Sequence, residues 1–93
     1  MIKGVTEEEY SIIKNILNSY PCKFYAYGSR VKGDFSPLSD LDILVVSDNY
    51  DEIIYKLKDN FDKSSLPYVV NFTNFNSIDK DFYELIKKDL VAI

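Results

Sequence analysis

The spacing of apolar residues changes period several times along the chain, and each change marks an element. Tyr10, Ile13, Ile16 and Leu17 recur at helical spacing. Just upstream, Thr6-x-x-Glu9 has the form of a capping box, in which hydroxyl and carboxylate satisfy the first free N–H groups. This predicts a scaffold helix ending near Asn18, before Pro21. Lys23 to Tyr27 is short, aromatic and partly alternating, and predicts a strand that stops at Gly28. Asp42 to Val46 is rich in β-branched residues and predicts a central strand. Asp48 is placed to cap a second helix, with Asp51 and Glu52 in its first turn and Ile53, Ile54, Leu57 and Phe61 along its apolar stripe. A third strand runs from Tyr68 to Phe75, after Pro67. The helix after Ser77 is expected to bury Phe82, Leu85 and Ile86, and Leu90 to Ile93 to add a short edge strand.

The resulting order is helix, strand, loop, strand, helix, strand, helix and a last strand. The loop between the first two strands is too short for a parallel crossover carrying a full helix. The sheet is therefore expected to be mixed or antiparallel there, which disfavours a doubly wound domain. The fold class expected is α+β: two layers, a small mixed sheet with packed helices. At 93 residues the chain is read as one domain over 1–93, since a second core would not fit.

Composition removes several chemistries. There is no His, so His-dependent nucleophilic triads, His-bearing zinc sites and a His general base are excluded. Cys22 is the single cysteine, which excludes an internal disulfide and an all-cysteine metal site and suits a reducing compartment. It is read as a small packed residue before the first strand. No apolar run approaches the ~20 residues of a membrane span, and the start of the chain has no signal-peptide pattern. A cytoplasmic location with no membrane association is expected. The net charge of −4 argues against direct nucleic-acid binding over a broad surface, while leaving room for a local phosphate site.

The candidate chemistry lies between Gly28 and Asp42. Asp40 and Asp42 are two apart at the start of a strand, so both carboxylates point to one face while Leu41 and Ile43 point into the core. Paired carboxylates repel unless a positive group lies between them, and an all-oxygen donor set suits a hard cation such as Mg²⁺ or Mn²⁺. At the other end, Gly28 lets a phosphate approach the backbone, and Ser29 offers a hydroxyl and an N–H. A helical turn over Arg30 to Lys32 would add free amides, and Arg30 is the only arginine in the chain. Gly33 permits a sharp exit. A phosphate grip and a carboxylate pair on adjacent strands are the equipment for phosphoryl or nucleotidyl transfer from a metal–nucleoside triphosphate. A Walker loop fits poorly, because Asp34 and Phe35 stand where Lys and Ser or Thr are required.

Gly28-Ser29, ten residues, then Asp40-Leu41-Asp42 resembles the Gly-Ser-x10-Asp-x-Asp signature of the DNA polymerase β-like nucleotidyltransferases. The fuller run, with Arg30, Gly33 and Ser39-Asp40-Leu41-Asp42-Ile43-Leu44-Val45, is similar to the minimal nucleotidyltransferases (MNT) of bacteria and archaea. The likeness covers nearly the whole chain and implies the nucleotidyltransferase fold. It also implies an antitoxin of a toxin–antitoxin system that uses ATP and Mg²⁺ to attach AMP to a tyrosine of a partner HEPN-family ribonuclease toxin. On that resemblance, Asp40 and Asp42 would bind metal. Gly28 and Ser29 would hold the β- and γ-phosphates, Arg30 and Lys32 would neutralise triphosphate charge, and Ser39 would complete the nucleotide-binding set.

The chain departs from the family at the third carboxylate. Alignment of Leu66-Pro67-Tyr68 puts that position at Asn71, counted here with the catalytic set. An amide can ligate a hard metal but cannot act as a base. Two functions follow: an active protein adenylyltransferase, or a degenerate MNT antitoxin that neutralises its partner by binding alone. A small-molecule acceptor such as an aminoglycoside fits less well, for want of a second domain to build its pocket. Tyr25 and Tyr27 fall near the motif and either stack on a base or pack; core packing is the commoner use of aromatics.

Overall fold

The computed structural model describes residues 2–93. Helix α1 spans Glu7–Leu17 and opens with the expected capping box: Glu9 N–H donates to Thr6 Oγ1 and Thr6 N–H to Glu9 Oε1, each at 3.1 Å. Strand β1 (Lys23–Tyr27) leads through the one-turn helix α2 (Ser29–Lys32) and an irregular loop to β2 (Leu41–Val46). Helix α3 (Tyr50–Asp62), β3 (Val70–Asn74), α4 (Lys80–Ile86) and β4 (Val91–Ala92) complete the order. Helix α3 begins one residue later than expected, with Asn49 rather than Asp48 at the cap. The cause is local: Ser47 Oγ donates to Asn49 Oδ1 at 2.6 Å and accepts from Asn49 N–H, which builds the turn before the helix starts.

The strands form one sheet in the order β3-β2-β1-β4. Strand β1 is antiparallel to β2 and to β4, whereas β2 and β3 are parallel, so the sheet is mixed as expected. The parallel pair is the one whose connection contains a full helix, α3. On one face, Phe24, Ala26, Leu41, Ile43 and Val45 pack with Ile13, Leu17, Leu57 and Phe61 of α1 and α3. Strand alternation then commits Tyr27, Asp42, Leu44, Asn71 and Thr73 to the other face.

Helix α4 corrects one expectation: no residue in it is fully buried, and Leu85 is 70% exposed. It stands outside the core between α1, α3 and the sheet. It meets the other face edge-on, through Phe82 against Tyr27 at 6.0 Å and Tyr83 against Phe75 at 5.8 Å. With two turns and one line of contact, it has no second surface in which to bury Leu85.

The loop from Gly33 to Asp40 has no regular backbone bonding, so something else must hold its carbonyls. Arg30 does. It is 3% exposed, and its guanidinium donates to the carbonyls of Ser39 (2.8 Å), Gly4 (2.6 Å) and Pro37 (3.1 Å), with a long contact to Ser36 (3.5 Å). Its Cζ lies 3.7 Å from the Tyr68 ring centroid and 5.3 Å from that of Phe35. Tyr68 Oη in turn donates to Glu9 Oε1 at 3.1 Å, tying the cluster to the capping box of α1. Gly4 is part of the same clasp: its N–H donates to the Arg30 carbonyl at 2.8 Å, and a Cβ there would fall 2.8 Å from Arg30 Cβ. The expectation that Arg30 neutralises triphosphate is therefore corrected. Its donors are spent on backbone carbonyls inside the protein.

Arg30→Ala is predicted to destabilise the fold by about 3 kcal/mol or more, since several charge-assisted bonds are lost and buried carbonyls are stranded. Arg30→Lys is predicted to recover little, because one ammonium cannot reproduce a planar fork. Urea unfolding followed by circular dichroism measures both.

Candidate functional site

The site begins at the end of β1. Gly28 has φ 89° and ψ −161°, a conformation essentially closed to other residues. A Cβ at this position would stand 2.5 Å from Asp42 Oδ2. Gly28 thus serves two purposes: it turns the chain into α2, and it lets backbone lie directly against a carboxylate. In α2 the Gly28 carbonyl accepts from Val31 and Lys32 N–H at 3.1 Å each. The first two amides, of Ser29 and Arg30, have no partner within the helix. Ser29 is half-buried beside them.

Asp42 is paired in register with Tyr27 on β1 and Asn71 on β3, so three strands bring the group together. Asn71 Nδ2 donates to Asp40 Oδ2 at 2.9 Å and reaches Asp42 Oδ1 at 3.4 Å. The amide lies between the two carboxylates, where the sequence called for a positive group. Beneath it, Tyr27 Oη and Thr73 Oγ1 are hydrogen-bonded at 2.9 Å, bridging β1 and β3 across β2. Burial pushes the Asp42 carboxyl above the ordinary range; the Asn71 bond opposes this and the Asp40 charge reinforces it. Among the described residues no three His, Cys, Asp or Glu side chains cluster, so the acidic part of the site is this pair alone. Two carboxylates and an amide oxygen are hard donors that fit Mg²⁺ or Mn²⁺.

The other candidates are dispersed. Lys32 Nζ is 4.0 Å from Asp89 Oδ2, on the 3₁₀ turn after α4, and forms no ion pair with Asp40 or Asp42. Ser39 Oγ accepts from Ser36 N–H at 2.9 Å, and its carbonyl is held by Arg30; it shapes the loop that delivers Asp40. Tyr27 is buried and fully engaged by Thr73 and Phe82, which leaves no ring face for a base. Tyr25 lines an open groove of about 310 Å³ with Leu44, Val46, Phe75, Tyr83 and Leu90 on the same side of the sheet. Sequence reasoning missed the Tyr27–Thr73 brace and the Gly4 and Tyr68 contacts to Arg30. The available signal was the solitary arginine inside a loop with no other means of satisfying its carbonyls.

The family described as Polymerase beta, Nucleotidyltransferase matches residues 11–93. A curated Haemophilus influenzae protein named probable protein adenylyltransferase MntA is 34% identical over 96% of this chain and 82% of its own length. A crystal structure from Sulfolobus solfataricus, described as that of a candidate nucleotidyltransferase, superposes with a TM-score of 0.50 at 25% identity. That likeness covers 88% of this chain and 72% of the other. The resemblance drawn from Gly28-Ser29 and Asp40-Leu41-Asp42 and the α+β fold class are borne out.

Because burial raises the Asp42 pKa, the ionised carboxylate opposes folding, and the opposition is relieved as pH falls through the raised value towards the unfolded one. Asp42→Asn is accordingly predicted to stabilise the ligand-free protein at pH 7 by about 0.5–1 kcal/mol, as relief of a functional charge commonly does. It should also remove the wild-type gain in relative stability on mild acidification. Thermal melts between neutral pH and the carboxylate range check both effects.

Proposed function

This chain belongs to the polymerase β-type nucleotidyltransferase family, and we propose that it is a metal-dependent protein adenylyltransferase. It transfers AMP from ATP to a tyrosine of a partner protein, a HEPN-family ribonuclease toxin, and acts as the antitoxin of that pair. The observation that carries the reading is Asp42 held against the bare backbone of Gly28, with Asp40 beside it across the Asn71 amide.

In this reading Gly28 and Ser29 receive the β- and γ-phosphates, the glycine by leaving room and the serine by its N–H and hydroxyl. Asp40 and Asp42 hold Mg²⁺ or Mn²⁺, with Asn71 turned to offer its carbonyl oxygen. When bound, the cation supplies charge neutralisation at the triphosphate and acidifies the attacking hydroxyl. The tyrosine oxygen bonds to the α-phosphorus, the α–β bridging bond breaks, and pyrophosphate leaves. An amide at 71 cannot take the hydroxyl proton, so the acceptors within the group are Asp40, Asp42 or water. Arg30 orders the loop behind Asp40 and touches no substrate.

The same amide favours a second reading, in which the protein neutralises its partner by binding and turns over slowly or not at all. Asn71 satisfies both carboxylates in the ligand-free protein, and a cation must displace that contact.

Calorimetric titration of Mg-ATP into the protein is predicted to give metal-dependent binding that falls at least ~10-fold in Asp40→Asn/Asp42→Asn. Absence of binding to wild type would favour the binding-only antitoxin. Asn71→Asp is predicted to raise the rate of AMP transfer by ~10-fold or more, the usual scale for a general base. An unchanged or lower rate would remove position 71 from the catalytic set.

A further inference from the structure

Strand β3 ends the sheet, and β2 is its only neighbour. The Val69 carbonyl accepts from Leu41 N–H at 2.9 Å, and the parallel register pairs Leu41 with Val70 and Ile43 with Phe72. By parity, Val69, Asn71 and Thr73 turn their backbone groups towards β2, while Val70, Phe72 and Asn74 turn theirs outwards. On that outer side the Phe72 carbonyl accepts a long bond from Tyr50 Oη at 3.5 Å and keeps a second lone pair.

Natural edge strands are commonly protected by charge, especially lysine. This one is not. Residues 64–78 contain no Asp, Glu, Lys or Arg, the longest such stretch in a chain that is 28% charged. Two large apolar residues also stand exposed at its ends, Val69 at 60% and Phe75 at 37%. They lie at equal distances along the sequence on either side of Phe72.

We infer that β3 is a self-association edge: two copies of this chain pair antiparallel through β3 about a two-fold axis at Phe72. The symmetry decides the occupant. Phe72 would exchange both backbone bonds with its own copy, and Val70 with Asn74 of the other. The same axis sets Val69 of each copy against Phe75 of the other, so the two exposed apolar residues cover one another. A closed isologous contact of this kind needs a self-complementary patch, which the positions of Val69 and Phe75 supply. Charge agrees: each copy carries −4, and the contact lies in the one long segment without charge.

The pairing also brings a second copy to the site. Asn71 would face Thr73 of the other chain, and the two Asn71 residues would lie diagonally about 7–8 Å apart. Carboxylates at 71 would repel across that diagonal; amides do not. This inference stands independently of the transferase reading.

Light scattering of the full chain, from micromolar to millimolar concentration, tests it. The expected result is a dimer that Val69→Lys weakens at least ~10-fold, since the contact is lost twice per dimer. Val69 is largely exposed, so an unchanged circular dichroism spectrum is expected for that variant. Amide exchange on the unmodified chain gives a second readout, with Val70 and Phe72 protected only at dimer-forming concentrations. A monomer at millimolar concentration overturns the inference. So does a dimer indifferent to Val69→Lys with these amides exchanging freely, or an edge occupied only when a different protein is added.

Discussion

A single buried guanidinium holds the functional end of this protein together. The motif loop delivers Asp40 and Asp42 to their strand without any regular backbone bonding of its own. Arg30 supplies that bonding, gathering the carbonyls of Ser39, Pro37 and Gly4 around one planar cation. Its charge is balanced by carbonyl dipoles and by the faces of Tyr68 and Phe35 rather than by a carboxylate. Lysine could not do this, having neither the fork nor the flat surface. The same side chain fastens the segment before α1 and, through Tyr68 and Glu9, the start of α1 itself. Loop, N-terminal segment and α1 thus share one anchor.

Against that anchor the site is made uncomfortable on purpose. Gly28 brings backbone against Asp42, burial opposes the Asp42 charge, and Asp40 adds to the opposition. Asn71 relieves part of it by donating to both carboxylates. An amide is a weak substitute for a cation, so the pair remains attractive to one. The residue that tempers catalysis by lacking a base is also the residue that makes the empty site tolerable.

Much of the fold is legible in the chain. Thr6 and Glu9 mark the start of α1 by chemistry that needs no tertiary context, and the alternation of Leu41, Asp42 and Ile43 tells which side of β2 is core. The Asp-x-Asp parity and the alignment of Asn71 with Asp42 across β2 and β3 follow from strand geometry alone. The role of Arg30 does not. Its neighbours in sequence suggest a phosphate ligand, and only the folded loop reveals how many carbonyls were waiting for a donor. Lys32 misleads for the same reason, since Asp89 is distant in sequence and near in space. The surplus apolar residue of α4, Leu85, shows the limit of periodicity: a stripe says that a face is apolar, not that another element will cover it.

The most direct measurement of the site is paramagnetic broadening of backbone amide resonances by trace Mn²⁺, with a non-hydrolysable ATP analogue present. Broadening centred on Gly28, Ser29, Asp42 and Asn71, and absent in Asp40→Asn/Asp42→Asn, is the predicted result. Broadening that instead follows the acidic first turn of α1 at Glu7, Glu8 and Glu9, or that survives the double substitution, would contradict a cation–triphosphate site built on this carboxylate pair.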